Sequence, residues 1–222
     1  MTDATASRHE SNRHFYDRIS SAYDLLADSN ERAARLAGVN ALDVQPGERV
    51  LEVGFGTGNE VLDLARLAGA GGYVAGIDIS PRMLAVAQRK LDATPPTAKV
   101  ELQVADARQL PFAEGSFDAV YSSFTLELFP EDDERQVLGE IRRVLRPGGR
   151  LAGVSMAQVK PKEKSSALEH TYIWMHRHFP HIVDCRPIDL AALVTTAGLR
   201  VRSTSELKIW TMPVAVVVAE KA

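Results

Sequence analysis

The chain has 222 residues, of which 45% are hydrophobic and 25% charged, and a formal net charge of −3. That is chain enough for one large globular domain, or for a domain with a small appendage. The charge excludes non-specific nucleic-acid binding as a main role. The single cysteine, Cys185, excludes an intramolecular disulfide and suits a reducing compartment. The first residues are polar and hold no apolar signal core, and the longest apolar run, 212–219, is too short to span a bilayer. These features predict a cytoplasmic protein and leave peripheral membrane contact open.

In chain order, residues 13–26 place Phe15, Ile19, Ala22 and Leu26 on one helical face. A second helix is predicted from Ser29 or Asn30 to Leu42, capped by one of those two side chains. Then comes RVLEVGFGTGNE, residues 49–60: a short apolar run through Val50, Leu51 and Val53, three alternating glycines, and a helical pattern opening at Val61. This predicts a buried strand, a tight glycine loop and a helix N-terminus. Gly54, Gly56 and Gly58 let the backbone take positive φ and let a ligand come close, while the helix N-terminus suits an anionic group.

The glycine spacing is informative. A dinucleotide fingerprint requires G-x-G-x-x-G, and the sixth position is Asn59 or Val61 in the two registers. No Gly-Lys-Ser/Thr follows, so this is not a P-loop either. An acid, Glu52, precedes the glycines, placed to accept from the loop backbone or from a ligand ammonium. Twenty residues beyond Gly58, Asp78 closes a second apolar strand, where an acid can accept from ribose hydroxyls. A nucleoside carrying an amino-acid tail, with a ribose and no pyrophosphate, fits this pattern.

Strand and helix then alternate, as in a parallel sheet with crossover helices. Strands are predicted at 73–77, 100–104, 117–121 and 150–154. Helices are predicted from the Ser80-Pro81 start to Leu91, from Asp132 to Leu145, and from Asp189 to Ala197, where Gly198 ends the last. Pro147-Gly-Gly149 reads as a turn, and 200–209 with 214–220 as a closing hairpin. Residues 156–186 read as an insertion, basic at Lys160, Lys162 and Lys164 and then aromatic at Tyr172, Trp174 and Phe179. It carries His170, His176, His178 and His181, whose spacing is not that of a zinc site. Arg142, Arg143, Arg146 and Arg150 read as a solvated basic face that could meet an anionic membrane.

Five motifs in order, VLEVGFGTG (50–58), GIDIS (76–80), VADARQLPF (104–112), FDAVYSSFTLE (117–127) and VLRPGGRL (144–151), resemble the class I S-adenosylmethionine-dependent methyltransferases. The particular flavour is similar to the bacterial quinone- and lipid-modifying group, over residues 13–155. The resemblance implies a doubly wound, seven-stranded, mostly parallel α/β sheet with an antiparallel last strand. It implies an N-terminal helical cap over residues 1–44 and a methyltransferase domain over 45–222.

It implies S-adenosylmethionine as methyl donor and S-adenosylhomocysteine as product. Asp78 would hold the ribose diol, Ile79 and Met83 would flank the adenine, and Asp106 with Ala107 would meet the adenine edge. Ser123 would lie near the donor's methyl group, and Tyr16 and Tyr23 of the cap would contact its methionine end. Relatives often carry a histidine or asparagine where this chain has SSFTLE, which puts a histidine base there in doubt and leaves Glu127 as a carboxylate of open role. The expected acceptor is a small lipophilic molecule, a quinol or lipid head group. A polar metabolite, and a partner protein that binds the donor without catalysis, are the rival readings. Oligomeric state, monomer or homodimer, is not determined by these motifs.

Overall fold

The computed structural model describes residues 28–158, 186–209 and 212–222. The expected helix over 13–26, Tyr16 and Tyr23, the histidines and aromatic residues of the insertion, and Cys185 lie outside the described residues.

In order, the elements are α1 (Asp28–Leu42), β1 (Arg49–Val53), α2 (Asn59–Ala68), β2 (Tyr73–Asp78), α3 (Pro81–Ala93), β3 (Lys99–Val104), β4 (Phe117–Ser123), a 3₁₀ turn (Leu126–Leu128), α4 (Glu131–Val144), β5 (Leu145–Met156), α5 (Leu190–Thr196), β6 (Arg200–Ile209) and β7 (Met212–Glu220). The strands form one seven-stranded sheet in the order β3-β2-β1-β4-β5-β7-β6. Strand β7 is antiparallel to both of its neighbours, and the pairs among β3, β2, β1, β4 and β5 are parallel.

Alternation along the strands builds two cores. Val50, Val74, Ala119, Tyr121 and Val154 face α1, α2 and α3 through Val39, Leu42, Leu64 and Ala87. Leu51, Ala75, Ile77, Val120 and Leu151 face α4 and α5 through Val137, Ile141, Leu190 and Val194. Both faces are covered, so the fold is doubly wound and a central strand such as β1 is buried in four of its five positions.

Local chemistry explains the boundaries. Ser80 Oγ accepts from the Met83 N–H, and Pro81 occupies the first helical position of α3. Asp189 caps α5 by accepting from the Ala192 N–H, and Gly198 turns the chain out of it. The turn expected at Pro147-Gly-Gly149 is instead a bulge inside β5. Phe117 pairs with Leu145 and Ala119 with Arg150, so four residues loop out opposite one.

The expected solvated basic face holds in part: Arg142 and Arg146 are exposed, whereas Arg143 and Arg150 are drawn into contacts with the fold. Arg143 forks onto Glu140 and the carbonyls of Leu110 and Phe112, and Arg146 pairs with Asp118. Arg150 binds Glu48 and the carbonyls of Leu42 and Asp43, tying α1 to the sheet. Guanidinium forks satisfy carbonyls at element ends better than they remain solvated. Among the described residues, no helix is long and apolar enough to cross a membrane.

Candidate active site

In an open parallel sheet, strand order reverses at a switch point, and the strand ends there leave a crevice. Here the reversal falls between β1, which leads to β2 on one side, and β4 on the other. A cleft opens at this place, floored by the glycine loop and walled by the ends of β2, β3 and β4.

The loop is held by the neighbouring strand. The Gly54 N–H donates to the Ile77 carbonyl at 2.8 Å, and the Gly58 N–H donates to the Phe55 carbonyl at 2.8 Å. All three glycines have positive φ, at 78°, 51° and 80°. Their surroundings differ. A Cβ on Gly54 would overlap the Thr125 side chain, and one on Gly58 would stand 2.7 Å from the Ala87 Cβ of α3. A Cβ on Gly56 would meet no protein atom within 4 Å. Gly56 lines the cleft, so that open space is where a ligand would approach the backbone.

Asp78 organises the rest. Its Oδ2 accepts from the Gly56 N–H at 2.9 Å and its Oδ1 from the Ser80 N–H at 2.8 Å. The carboxylate therefore locks the glycine loop to the start of α3 while lining the cleft. Ile79, Met83, Asp106, Ala107 and Ser123 line it as well. Next to Ser123, Ser122 turns the other way and donates to the Val53 carbonyl, joining β4 to β1 at the switch point. Phe124 has φ 48°, a conformation costly for a non-glycine residue, and aligns with Leu128 and Phe129 on an apolar wall.

Two expected residues stand elsewhere. Gly58 is not in the lining; it serves the approach of α2 to α3. Glu52 is 1% exposed beneath the loop and is absent from the lining, and its Oε2 has no hydrogen-bond partner. Burial pushes its carboxyl well up, and the charge of Glu60 adds to this. Glu52 is thus a buried acid whose burial favours the protonated form.

The sequence reading missed Arg35, Glu60 and Arg108, all of which line the cleft. Arg35 reaches in from α1, its Nη2 2.6 Å from Glu31 Oε2 and its Nη1 3.8 Å from Glu60 Oε1. Its backbone carbonyl accepts from the buried Tyr121 hydroxyl at 2.9 Å. One signal was available: Arg35 falls on the same helical stripe as Val39 and Leu42, where periodicity calls for an apolar residue. Arg108 grips Asp106 with Nε and Nη2 and reaches Asp133 of α4 at 3.1 Å.

Glu127 lies in the 3₁₀ turn, 2% exposed and not in the cleft lining. Its Oε1 accepts from the Met156 N–H at 3.1 Å and its Oε2 has no partner. Burial pushes the carboxyl from the ordinary 4.5 up to about 8, with the charges of Glu31 and Glu134 adding to this and the Met156 N–H opposing it. Between those values the folded protein keeps a proton that the unfolded chain has lost, so this group makes stability fall as pH rises. Glu127→Gln is expected to match the parent near pH 5 and to exceed it by roughly 3 kcal/mol at pH 8, read by urea denaturation. Equal stability changes at both pH values would contradict a buried neutral acid.

Residues 50–149 match the family model of a methyltransferase domain, from the strand before the glycine loop to the bulge of β5. The chain is thus similar, over this segment, to the class I S-adenosylmethionine-dependent methyltransferases. It is 41% identical over 140 residues to a demethylmenaquinone methyltransferase of Clavibacter sepedonicus, covering 61% of this chain and 54% of that one. A protein of the same description from Bacillus mycoides is 34% identical over 156 residues, covering 68% of this chain and 65% of that one. The chain thus spans between half and two thirds of the length of these relatives. In fold it is similar to the crystal structure of a SAM-dependent methyltransferase from Aquifex aeolicus, with a TM-score of 0.69 at 20% identity over 91% of this chain and 98% of that one.

Proposed function

We propose that this protein transfers a methyl group from S-adenosylmethionine to a small lipophilic acceptor of the quinol type, in the cytoplasm. The cleft fits the donor. Asp78 stands where a ribose diol can donate to it, Gly56 leaves room for close approach, and Arg35 supplies a cation for the donor's carboxylate. Ile79 and Met83 line the cleft where they would flank the base, and Asp106 and Ala107 where they would meet its edge. Tyr16 and Tyr23 remain proposed contacts for the methionine end.

The bound donor supplies a methyl group made electrophilic by the sulfonium; the acceptor forms the new bond to carbon as the carbon–sulfur bond breaks and the thioether departs. The chain's residues orient this displacement and exclude water from it. Ser123 and the wall of Phe124, Leu128 and Phe129 stand at the β4 end, where the acceptor would approach. Neither Glu127 nor Glu52 lines the cleft, so neither is placed to take a proton from the acceptor. A quinol suits such a site, because its aromatic hydroxyl ionises more readily than an alcohol and makes the adjacent ring carbons and oxygens nucleophilic.

The observation that carries the acceptor class is the apolar wall of Phe124, Leu128 and Phe129, against which a lipophilic ring can pack, with Ser123 and Thr125 as the polar side chains beside it. The test uses donor labelled in its methyl group, incubated with the protein and an extract of host cells, followed by partition between organic and aqueous phases. Label is expected in the organic phase, and to be absent with Asp78→Ala. Label confined to aqueous products would overturn the lipophilic acceptor, and donor binding without any transfer to a supplied demethylmenaquinol would overturn the quinol.

A further inference from the structure

We propose that Glu127 is a positioning residue for the methyl acceptor: its side chain stands in for the Phe124 carbonyl in the β4–β5 ladder and so holds the wall of Phe124, Leu128 and Phe129 in place. This rests on the reading, proposed above, that the acceptor packs against that wall.

Strands β4 and β5 are parallel, with Ser123 opposite Val154. In a parallel ladder a residue donates to one partner carbonyl and accepts from the N–H two residues further along that partner. Phe124 makes the first of these bonds, its N–H donating to the Val154 carbonyl at 2.8 Å. The second would bring the Met156 N–H to the Phe124 carbonyl. That N–H donates instead to Glu127 Oε1 at 3.1 Å. Phe124 has φ 48°, which turns the chain out of the strand and its carbonyl out of the ladder. Phe124 so placed lines the cleft. A left-handed phenylalanine is strained and persists only where its surroundings enforce it. Glu127 supplies that constraint, because its Oε1 occupies the Met156 N–H that an extended Phe124 would need.

The anchor is firmly held and the turn that hangs on it is short. The Met156 carbonyl accepts from the Ile188 N–H at 3.0 Å, and the Ala157 N–H donates to the Pro213 carbonyl of β7 at 2.9 Å. The turn closes on itself, from the Leu128 N–H to the Thr125 carbonyl at 3.1 Å and from the Phe129 N–H to the Leu126 carbonyl at 3.2 Å. Leu126 fixes it in the second core, Glu127 fixes it to β5, and Leu128 and Phe129 follow directly into the cleft lining. A residue serving only to fill this space would be apolar. Glu127 is buried with an Oε2 that has no hydrogen-bond partner, which is a costly way to pack. Burial favours the protonated acid, so glutamine reproduces both the shape and the charge of this side chain.

The test compares Glu127→Gln, which keeps an acceptor for the Met156 N–H, with Glu127→Met, which keeps the volume and loses the acceptor. Demethylmenaquinol is the substrate supplied, and S-adenosylhomocysteine is titrated by calorimetry on the full chain. Glu127→Met is expected to raise KM for demethylmenaquinol about tenfold or more, with a smaller change in kcat and product affinity within about threefold of the parent. Glu127→Gln is expected to stay within about threefold of the parent in all three quantities. A merely structural loss would lower the active fraction, and with it the apparent kcat, without moving KM. Amide hydrogen exchange at Leu128 and Phe129 needs no acceptor, and should be faster in Glu127→Met and parent-like in Glu127→Gln. If the parent does not methylate demethylmenaquinol, the quinol reading falls and the exchange alone decides this proposal. Glu127→Ala takes the place of the methionine variant if that one does not fold. The proposal is overturned if glutamine does as much damage as methionine, if the methionine variant keeps the parent's KM and exchange, or if product affinity falls as far as KM rises.

Discussion

Replacing Asp78 with alanine is expected to weaken S-adenosylhomocysteine binding by at least about 100-fold while leaving a folded protein. The size follows from three losses at one residue. The Gly56 and Ser80 N–H groups lose the acceptor that holds them at 2.9 and 2.8 Å. The glycine loop loses its tie to the start of α3. The ribose diol loses a charged acceptor, and hydrogen bonds to charged groups are worth about 1.5–3 kcal/mol. Asparagine should rescue little, because its amide nitrogen cannot accept and would face one of the two backbone N–H groups. Calorimetry with the product, alongside circular dichroism, reads the two effects separately. Affinity within threefold of the parent would show that Asp78 braces the loop without touching the ligand.

The glycine series is the second large effect, and it splits by position. Gly54→Ala and Gly58→Ala are each expected to destabilise the fold by about 3 kcal/mol, combining left-handed strain with overpacking. The obstacle for Gly54 is Thr125 and for Gly58 it is Ala87. Gly56→Ala has φ 51° and open space around it, so its folding cost should be about 1 kcal/mol. Its larger effect falls on binding, tenfold or more, because the new methyl group occupies the donor's approach. Thermal denaturation and product titration of all three variants check this. Adding Thr125→Ala should restore part of the stability lost in Gly54→Ala and none of that lost in Gly58→Ala. Equal stability losses at the three glycines would contradict the distinction.

The legible parts were those with short-range signatures. The strand before the glycine loop shows as an apolar run, the loop as alternating glycines, and Asp78 as an acid closing the next strand. Helix starts at Ser80 and Asp189 were visible because an N-cap and its partner lie three residues apart. Sequence also carried β4 to within two residues of its end, yet those two, Ser122 and Ser123, divide the labour at the switch point, one bracing β1 and the other facing the cleft. Pro147-Gly-Gly149 has the composition of a turn, and its use as a bulge depends on Phe117 and Ala119 pairing to either side of it.

By itself, then, the sequence determined the alternating order of strands and helices, the character of the glycine loop and the acid that serves it. Each depends on residues near one another in the chain. Only the tertiary structure decided that Arg35 of α1 meets Glu60 of α2 at the cleft, that Glu52 is shut beneath the loop, and that Arg143 and Arg150 are taken up by carbonyls and carboxylates. Arg150 and Glu48 are separated by 102 residues, and Arg108 and Asp133 by 25. A charge's role is set by what faces it after folding: the same guanidinium is a solvated surface group, a brace or a ligand contact according to the desolvation and partners that the packed sheet provides.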